Sequence, residues 1–468
     1  MQPTPIRRTP PGPPPMPLIG EFGSQFRLFS DFIGGLSELQ RHGPLVSLAS
    51  GSGRHILVFA PEYVQQVLSN PGLFLSLEPA KNAPPGSSLR RLWTGLGTTN
   101  GEVHKKGRRL MLPAFHKKRV EGYRDDMVSL FQRMLDGWRP GETRDLSADM
   151  RRVTLLVVTK ALFGLEDEQE CLAHGELLSE WFRLFGSASV QLLQHDWPLL
   201  PYRRVMRISE RGEAAIRDLI ARKRREGGGG NDVLSLLLEA RDEDGGSLSD
   251  EELVGHITIL FIAGHETTAN ALTWTLFLLD QHPEVHAALV DELQGTLRGE
   301  APALEQLEQL PLLDRVIKES MRLLPPVPLS QRVAAAPFEM GGYSFDAGTE
   351  LIYSPYVTHR MPELYPEPAR FLPERWKTLD PPVYAYIPFA NGPRRCIGAT
   401  LAMMELKLAL AMMLQRYRLA LVPGSRIDRE VLITLSPKHG MPMTVHAQDR
   451  RFTRAPWRGN VREMLALE

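Results

Sequence analysis

The stretch FANGPRRCIG at residues 389–398 places a cysteine after two arginines, in a chain of 468 residues whose other cysteine is Cys171. A free thiol titrates near pH ~8.5, so little of it is thiolate at neutral pH unless cations, a helix N-terminus or a bound metal intervene. All three are on offer here. Arg394 and Arg395 precede Cys396, and the run IGATLAMMELKLALAMML that follows is helix-forming, with its positive end toward the sulfur. Gly392 and Gly398 permit a tight turn and the close approach of a bulky group to the backbone. Two distant cysteines without CxxC spacing make a disulfide framework or a zinc site improbable. One thiolate is sufficient, however, as the axial ligand of a haem iron, where its electron donation favours O–O cleavage.

Two other groups could do chemistry. In AGHETT, residues 263–268, Gly264 costs a helix about 1 kcal/mol relative to alanine, and Glu266 and Thr267 interrupt an apolar surface. Ala263 and Gly264 lie four and three residues before Thr267, so the threonine stands over two very small side chains and a notch results. Its hydroxyl can also bond back to the carbonyl of residue 263 or 264 and open the helical ladder. The same residues would serve equally as a packing contact against another helix. In DRVIKESMRLLPPVP, Glu319 and Arg322 stand at i and i+3 and can pair on one face before Pro325 and Pro326 stop the helix. Exposed pairs of this kind contribute little. A buried Glu319 shared with Arg375, in the proline-rich run PEPARFLPERW, would instead lock an irregular segment in place.

Helical periodicity dominates the elements that must carry these residues. The helix bearing AGHETT starts at a capping box formed by Ser249 and Glu252 and ends at His282 and Pro283, which predicts roughly thirty residues of helix. Short β-like runs fall at residues 45–60, 338–356 and 431–447. The tract GGGG at residues 227–230 reads as a solvated connection between two helices, since no Lys-Ser/Thr follows it to make a phosphate loop. Lys plus Arg and Asp plus Glu both total 55, so no global field favours nucleic acid or an acidic membrane. The N-terminal run MQPTPIRRTPPGPPPMPLIG lacks the apolar core of a signal peptide and favours a stiff polyproline-like segment. The most apolar long segment carries His265 and Glu266 at its middle, so it reads as a buried helix and no transmembrane anchor is expected. The sparse cysteines fit a reducing, cytoplasmic setting.

With these motifs in place the chain resembles the cytochrome P450 family. FANGPRRCIG is similar to its haem-thiolate signature FxxGxRxCxG at Phe389, Gly392, Arg394, Cys396 and Gly398. AGHETT resembles the oxygen-activation motif, Glu319 and Arg322 the ExxR pair, and PERW the segment supplying the third member of that set at Arg375. The resemblance implies a mainly α fold with small β-sheets and a long central helix over a haem. It also implies a proline-rich N-terminal segment at residues 1–25 followed by a single domain at residues 26–468.

The resemblance further implies roles that pattern alone does not give. Cys396 would bind the iron of haem b, and Phe389, Gly392, Ile397, Gly398, Ala263 and Gly264 would line the cofactor. His104, Arg108, Arg332 and Arg394 would hold its propionates by charge-assisted bonds, although any one arginine could instead be a surface residue. Thr267 with Glu266 would deliver protons as dioxygen is activated, giving an oxygen-dependent monooxygenase that hydroxylates or epoxidises an apolar substrate. Haem-thiolate peroxygenases, isomerases and haem sensors are the alternatives, and they have little use for an acid-alcohol pair. By the same analogy the substrate pocket draws on Leu92, Trp93, Leu260, Ala263, Val327, Leu329 and Leu435, with a mobile lid around residues 175–205.

No dinucleotide fingerprint follows the cysteine, so electrons from NAD(P)H are expected through a separate ferredoxin- or flavodoxin-type donor and its reductase. Residues 103–120 are basic and contain no acid, which makes Lys105, Lys106 and Arg109, together with Arg395, candidates for docking that donor. A merely solvated basic face fits the same residues, and nucleic-acid binding is not expected.

Overall fold

A computed structural model of the chain describes residues 9–15, 23–24, 28, 31–227, 229–243 and 245–466. The described residues are mainly helical with small sheets, as the resemblance implies. They group into two compact units, one comprising Met1–Leu77, Val327–Ala369 and Thr378–Cys396, the other Glu78–Pro326, Arg370–Lys377 and Ile397–Glu468.

The first unit is built on a five-stranded sheet in the order Leu45–Ser47, His55–Val58, Glu350–Tyr353, Ser330–Ala334, Phe74–Leu75. His55–Val58 and Glu350–Tyr353 run parallel, and the other neighbours are antiparallel. Ile56, Val58 and Leu351 bury one face with Val64, Val67 and Leu68 of the helix Pro61–Ser69, and Phe74, Phe338 and Phe345 stack beside them. The outer edge at Leu45–Ser47 is covered by the proline-rich segment: the Ser47 and Ser50 N–H groups donate to the carbonyls of Pro11 and Pro13 at 2.9 and 2.7 Å. Prolines accept such bonds but cannot donate, so the sheet stops there. The rest of that segment, residues 1–8, 16–22 and 25, lies outside the described residues.

The second unit is organised around the helix Asp250–Gln281, 32 residues long. Its capping box forms as expected, the Ser249 N–H donating to Glu252 at 2.8 Å and the Glu252 N–H to the Ser249 hydroxyl at 3.2 Å. It ends at His282, and Pro283 opens the next helix. Because helices Ser88–Trp93, Leu146–Phe163, Pro311–Leu323 and Ala399–Arg416 all pack against it, it is apolar nearly all round rather than amphipathic. Gly264 meets one of these neighbours directly: a Cβ there would lie 2.6 Å from Val158 Cγ2, so at this position the packing alternative holds. Strands Thr143–Asp145, Pro442–Ala447 and Tyr417–Leu421 form a three-stranded antiparallel sheet, and Arg429–Val431 pairs with Leu435–Pro437 in a hairpin. The glycine tract joins Pro201–Arg225 to Val233–Glu239, as its composition indicates.

Candidate active site

The cysteine loop is a fixed turn of the first unit. The Cys396 N–H donates to the Phe389 carbonyl at 2.9 Å, the Arg395 N–H to Gly392 at 3.0 Å, and the Gly392 N–H to Asn391 Oδ1 at 2.8 Å. Gly392 is required twice over. Its φ is +71°, and a Cβ would sit 2.5 Å from the carbonyl oxygen of Leu68 at the end of the Pro61–Ser69 helix. The Cys396 side chain is exposed, whereas Cys171 is buried, and burial pushes the Cys171 thiol up. Phe389 and Arg394 are half-buried in the same loop. Arg332, on the strand Ser330–Ala334, is also half-buried; it donates to the Gln331 carbonyl at 2.8 Å and lies over the Tyr353 ring at 5.7 Å. In the second unit, Ile397 and Gly398 are half-buried ahead of the helix Ala399–Arg416, whose first turn no side chain caps. Among the described residues no group of three or more His, Cys, Asp or Glu side chains could hold a metal ion. A single accessible thiol would suit an iron carried by a cofactor that supplies further donors of its own.

The Glu319 set is brought together as expected. Glu319 and Arg322 are both 0 % exposed, and their side chains form a fork, Nε to Oε2 at 2.8 Å and Nη2 to Oε1 at 2.9 Å. Arg375 Nε donates to the same carboxylate at 2.9 Å. Two further donors escaped sequence reasoning: Trp376 Nε1 at 2.9 Å and the Leu372 N–H at 3.0 Å. The carboxylate thus ties the helix Pro311–Leu323 to the irregular run 370–377, and Arg322 Nη2 adds a bond to the Arg370 carbonyl at 3.0 Å.

Midway along the central helix the burial breaks: Ala263 is exposed, and Gly264, Glu266 and Thr267 are half-buried. The Thr267 hydroxyl donates to the Ala263 carbonyl at 2.8 Å and Thr268 to Gly264 at 3.1 Å, the back-bonding that loosens a ladder. Thr154 adds a third side-chain donor, to the His265 carbonyl at 3.1 Å. Burial raises the Glu266 pKa, against the opposing pull of Arg151, Thr434 and Arg183. The shift is toward neutrality, which suits a proton donor. Neighbouring His265 is pushed down to about 4 by burial and is held by the Phe261 carbonyl and Ser179 Oγ at 3.2 and 3.4 Å, so it is neutral.

On the helix Gly101–Met111, His104 is buried and Arg108 half-buried. Gly107 between them lets the helix approach His256, whose ring would be 2.8 Å from a Cβ. The basic segment is less bare than its sequence implies. Lys105 pairs with Glu102 at 2.7 Å, Lys106 with Glu252 at 3.8 Å, Arg109 with Glu243 at 3.9 Å and Lys117 with Glu308 at 3.0 Å, acids supplied from outside residues 103–120. Lys105, Arg109 and Arg395 nevertheless stay exposed.

Of the residues expected to meet substrate, Leu92, Trp93, Leu260 and Leu435 are buried, and Val327 and Leu329 are half-buried. Leu435 is drawn inward by its backbone, which accepts from Trp274 Nε1 and donates to the Pro326 carbonyl, both at 2.9 Å. The exposed apolar residues of that hairpin are Leu432 and Ile433, which sequence reasoning passed over. Trp93 joins an aromatic cluster with Trp181, Phe182 and Phe185. Within the expected lid, helices Glu168–Phe185 and Pro201–Arg225 are joined by a Trp181–Ser209 hydrogen bond of 2.8 Å, and Trp197 and Leu199 between them are exposed. Among the described residues no helix is long and apolar enough to cross a membrane.

Comparison with known proteins agrees with this geometry. The family model described as cytochrome P450 matches residues 10–441. Cyclooctat-9-en-7-ol 5-monooxygenase of Streptomyces melanosporofaciens is 33 % identical over 89 % of this chain and 90 % of its own length. Pentalenene oxygenase of Streptomyces avermitilis is 31 % identical over 90 % and 94 %. Among solved structures, retinoic acid bound cyanobacterial CYP120A1 superposes with a TM-score of 0.81 at 27 % identity, covering 94 % of this chain and 100 % of that one. The heme domain of cytochrome P450DA gives 0.80 at 26 %, covering 96 % and 100 %. An exposed thiol on a glycine-dependent turn, a shared buried glutamate and a central helix whose burial breaks at Ala263 thus stand in a chain that belongs to the cytochrome P450 family, as a haem-dependent monooxygenase.

Proposed function

We propose that the chain inserts one oxygen atom from dioxygen into a cyclic terpenoid, with Cys396 as the thiolate ligand of haem b. The observation that supports the substrate class is the similarity to relatives named for cyclooctat-9-en-7-ol and pentalenene, over nine-tenths of the chain or nearly so. Haem, when bound, supplies the centre at which dioxygen is reduced and activated. The chain's own residues bind and orient it. Cys396 holds the iron, Phe389 packs beside the sulfur, and Gly392, Ile397 and Gly398 keep the loop close. His104, Arg108, Arg332 and Arg394 give the carboxylates charge-assisted donors. Ala263, exposed on the central helix, leaves room there, while Gly264 lets that helix sit close against Val158.

Glu266 and Thr267 handle protons. Glu266, its pKa raised by burial, exchanges a proton at its carboxyl more readily near neutral pH than an exposed glutamate does. The Thr267 hydroxyl, its hydrogen given to the Ala263 carbonyl, keeps its lone pairs free to accept. Leu92, Trp93, Leu260, Val327, Leu329 and Leu435 form the apolar surroundings of the substrate. Electrons reach the protein from NAD(P)H through a ferredoxin- or flavodoxin-type donor and its reductase, docking at Lys105, Lys106, Arg109 and Arg395. Residues 26–468 act as one domain, in the cytoplasm. The test is turnover of cyclooctat-9-en-7-ol and pentalenene by the holoprotein with a reconstituted ferredoxin and reductase under isotopically labelled dioxygen. One labelled oxygen atom per product is the expected result. Turnover without dioxygen or reductant refutes the monooxygenase chemistry, and no product from either compound refutes the substrate class.

A further inference from the structure

The short helix Ser88–Trp93 of the second unit is held by two contacts of different kinds. Past its C-terminus, the Thr94 carbonyl lies directly on Gly255 of the central helix, where any Cβ would collide with it. From its last turn, Arg91 reaches Glu213 of the helix Pro201–Arg225 through a fork, Nε to Oε1 at 2.7 Å and Nη2 to Oε2 at 2.8 Å. Its remaining nitrogen closes on the Gly86 carbonyl. Glu213 is 5 % exposed and takes a third arginine nitrogen, Arg217 Nε, at 2.8 Å. Despite its burial, the bonds from Arg91, Ser88 and Arg217 hold its pKa down to about 2, so it stays ionised. Beside it Gly212 admits Leu92 Cδ1 and Leu178 Cδ2 at ordinary contact distance.

A helix this short has no stability of its own, so its position is whatever these attachments make it. The glycine contact is backbone against backbone and leaves nothing to exchange. The ion pair differs: it fixes one geometry through the planar fork, and when Arg91 lets go Glu213 keeps Arg217, so the buried carboxylate is not left unpaired. It is a fastening suited to opening and reclosing.

We propose that Glu213 is a positioning residue for substrate. Acting through Arg91, it holds Leu92 and Trp93 in place and so sets how quickly a bound molecule leaves. The inference rests on the reading above that Leu92 and Trp93 adjoin the substrate.

The test is the dissociation rate of two probes from the haem-loaded protein, 4-phenylimidazole and cyclooctat-9-en-7-ol, followed by the haem absorbance change. Glu213→Gln and Arg91→Gln should each speed release by about tenfold, less than the ~30-fold or more that losing one member of an interfacial buried charge pair costs, because this pair acts on the bound molecule only through Leu92 and Trp93. The double variant should be no faster than the single ones, and Glu213→Asp should restore slower release. Arg91→Gln is the safer variant for folding, since Glu213 keeps Arg217. Unchanged release of both probes from folded Arg91→Gln, or additive effects in the double variant, overturns the proposal. Faster release of 4-phenylimidazole from a protein that binds no cyclooctat-9-en-7-ol supports it and counts against the terpenoid substrate instead.

Discussion

Replacing Glu319 by alanine removes the acceptor of five hydrogen bonds, from Arg322 Nε and Nη2, Arg375 Nε, Trp376 Nε1 and the Leu372 N–H, all between 2.8 and 3.0 Å. Arg322 is 0 % and Arg375 7 % exposed, so water cannot take over as their partner without entering the core. Removing one member of a buried ion pair costs about 3–5 kcal/mol, because the cost is that of the charge left behind. Two arginines share this carboxylate, so the whole of that range applies. Against a total stability of about 5–15 kcal/mol, a loss of this size is about a fifth or more. The assay is thermal melting by far-ultraviolet circular dichroism alongside haem content, wild type and Glu319→Ala side by side. Glu319→Gln should also be destabilised, since its amide NH2 must face one of the arginine or indole donors. Wild-type melting and full haem content in Glu319→Ala would refute the reasoning.

Cys396→Ala should lose the thiolate-type absorbance band of the reduced carbon monoxide complex while Cys171→Ala keeps it; the reverse result would remove Cys396 as ligand. Thr267→Ala should consume reducing equivalents but yield hydrogen peroxide in place of much of the product, measured as product per electron pair, and equal coupling in both proteins would free Thr267 of a role in proton delivery. Asp280, pushed up to about 6 chiefly by burial, binds its proton more tightly folded than unfolded, so its contribution to stability is present below pH ~3.8 and lost as pH rises toward 6. Asp280→Asn should therefore gain on wild type across that window, by about 2–3 kcal/mol in chemical denaturation, and a difference that does not vary with pH would contradict the assignment. Reversing Lys105 and Lys106 to glutamate should slow reduction by an acidic donor, and the wild-type rate should fall with added salt as the ~10 Å Debye length at 0.1 M shortens; a rate insensitive to both changes rules that surface out.

What was legible in the sequence was whatever a local rule encodes. Ser249 with Glu252, and His282 before Pro283, bound the central helix because capping is decided within one turn. The Thr267 bond to Ala263 and the Glu319–Arg322 fork are likewise i, i+4 and i, i+3 contacts. Partners from elsewhere in the chain were not legible. Trp376 and the Leu372 N–H reach Glu319 only because the irregular run 370–377 folds back, and no periodicity describes that run. The same holds for Glu243 and Glu308, which meet a segment that reads as free of acid, and for Arg91 with Glu213, separated by more than a hundred residues. Leu435 shows a subtler limit. Its place in a short β-like run could be read, but which way it points is set by Trp274 and Pro326, through backbone bonds that side-chain identity does not announce.

The parallel pairing of His55–Val58 with Glu350–Tyr353 has a consequence during synthesis. Its first register pair, His55 with Glu350, joins residues 350 − 55 = 295 positions apart. At roughly 5–20 residues per second a ribosome needs about 15–60 s to make the second strand after the first has emerged. For that interval the hairpin of Leu45–Ser47 and His55–Val58 carries an open row of N–H and C=O groups on its inner edge, with Ile56 and Val58 uncovered. The nascent chain thus spends longer with an adhesive strand edge than a small domain takes to fold, and in the cell something other than its own native partner has to occupy or shield that edge until residue 353 appears.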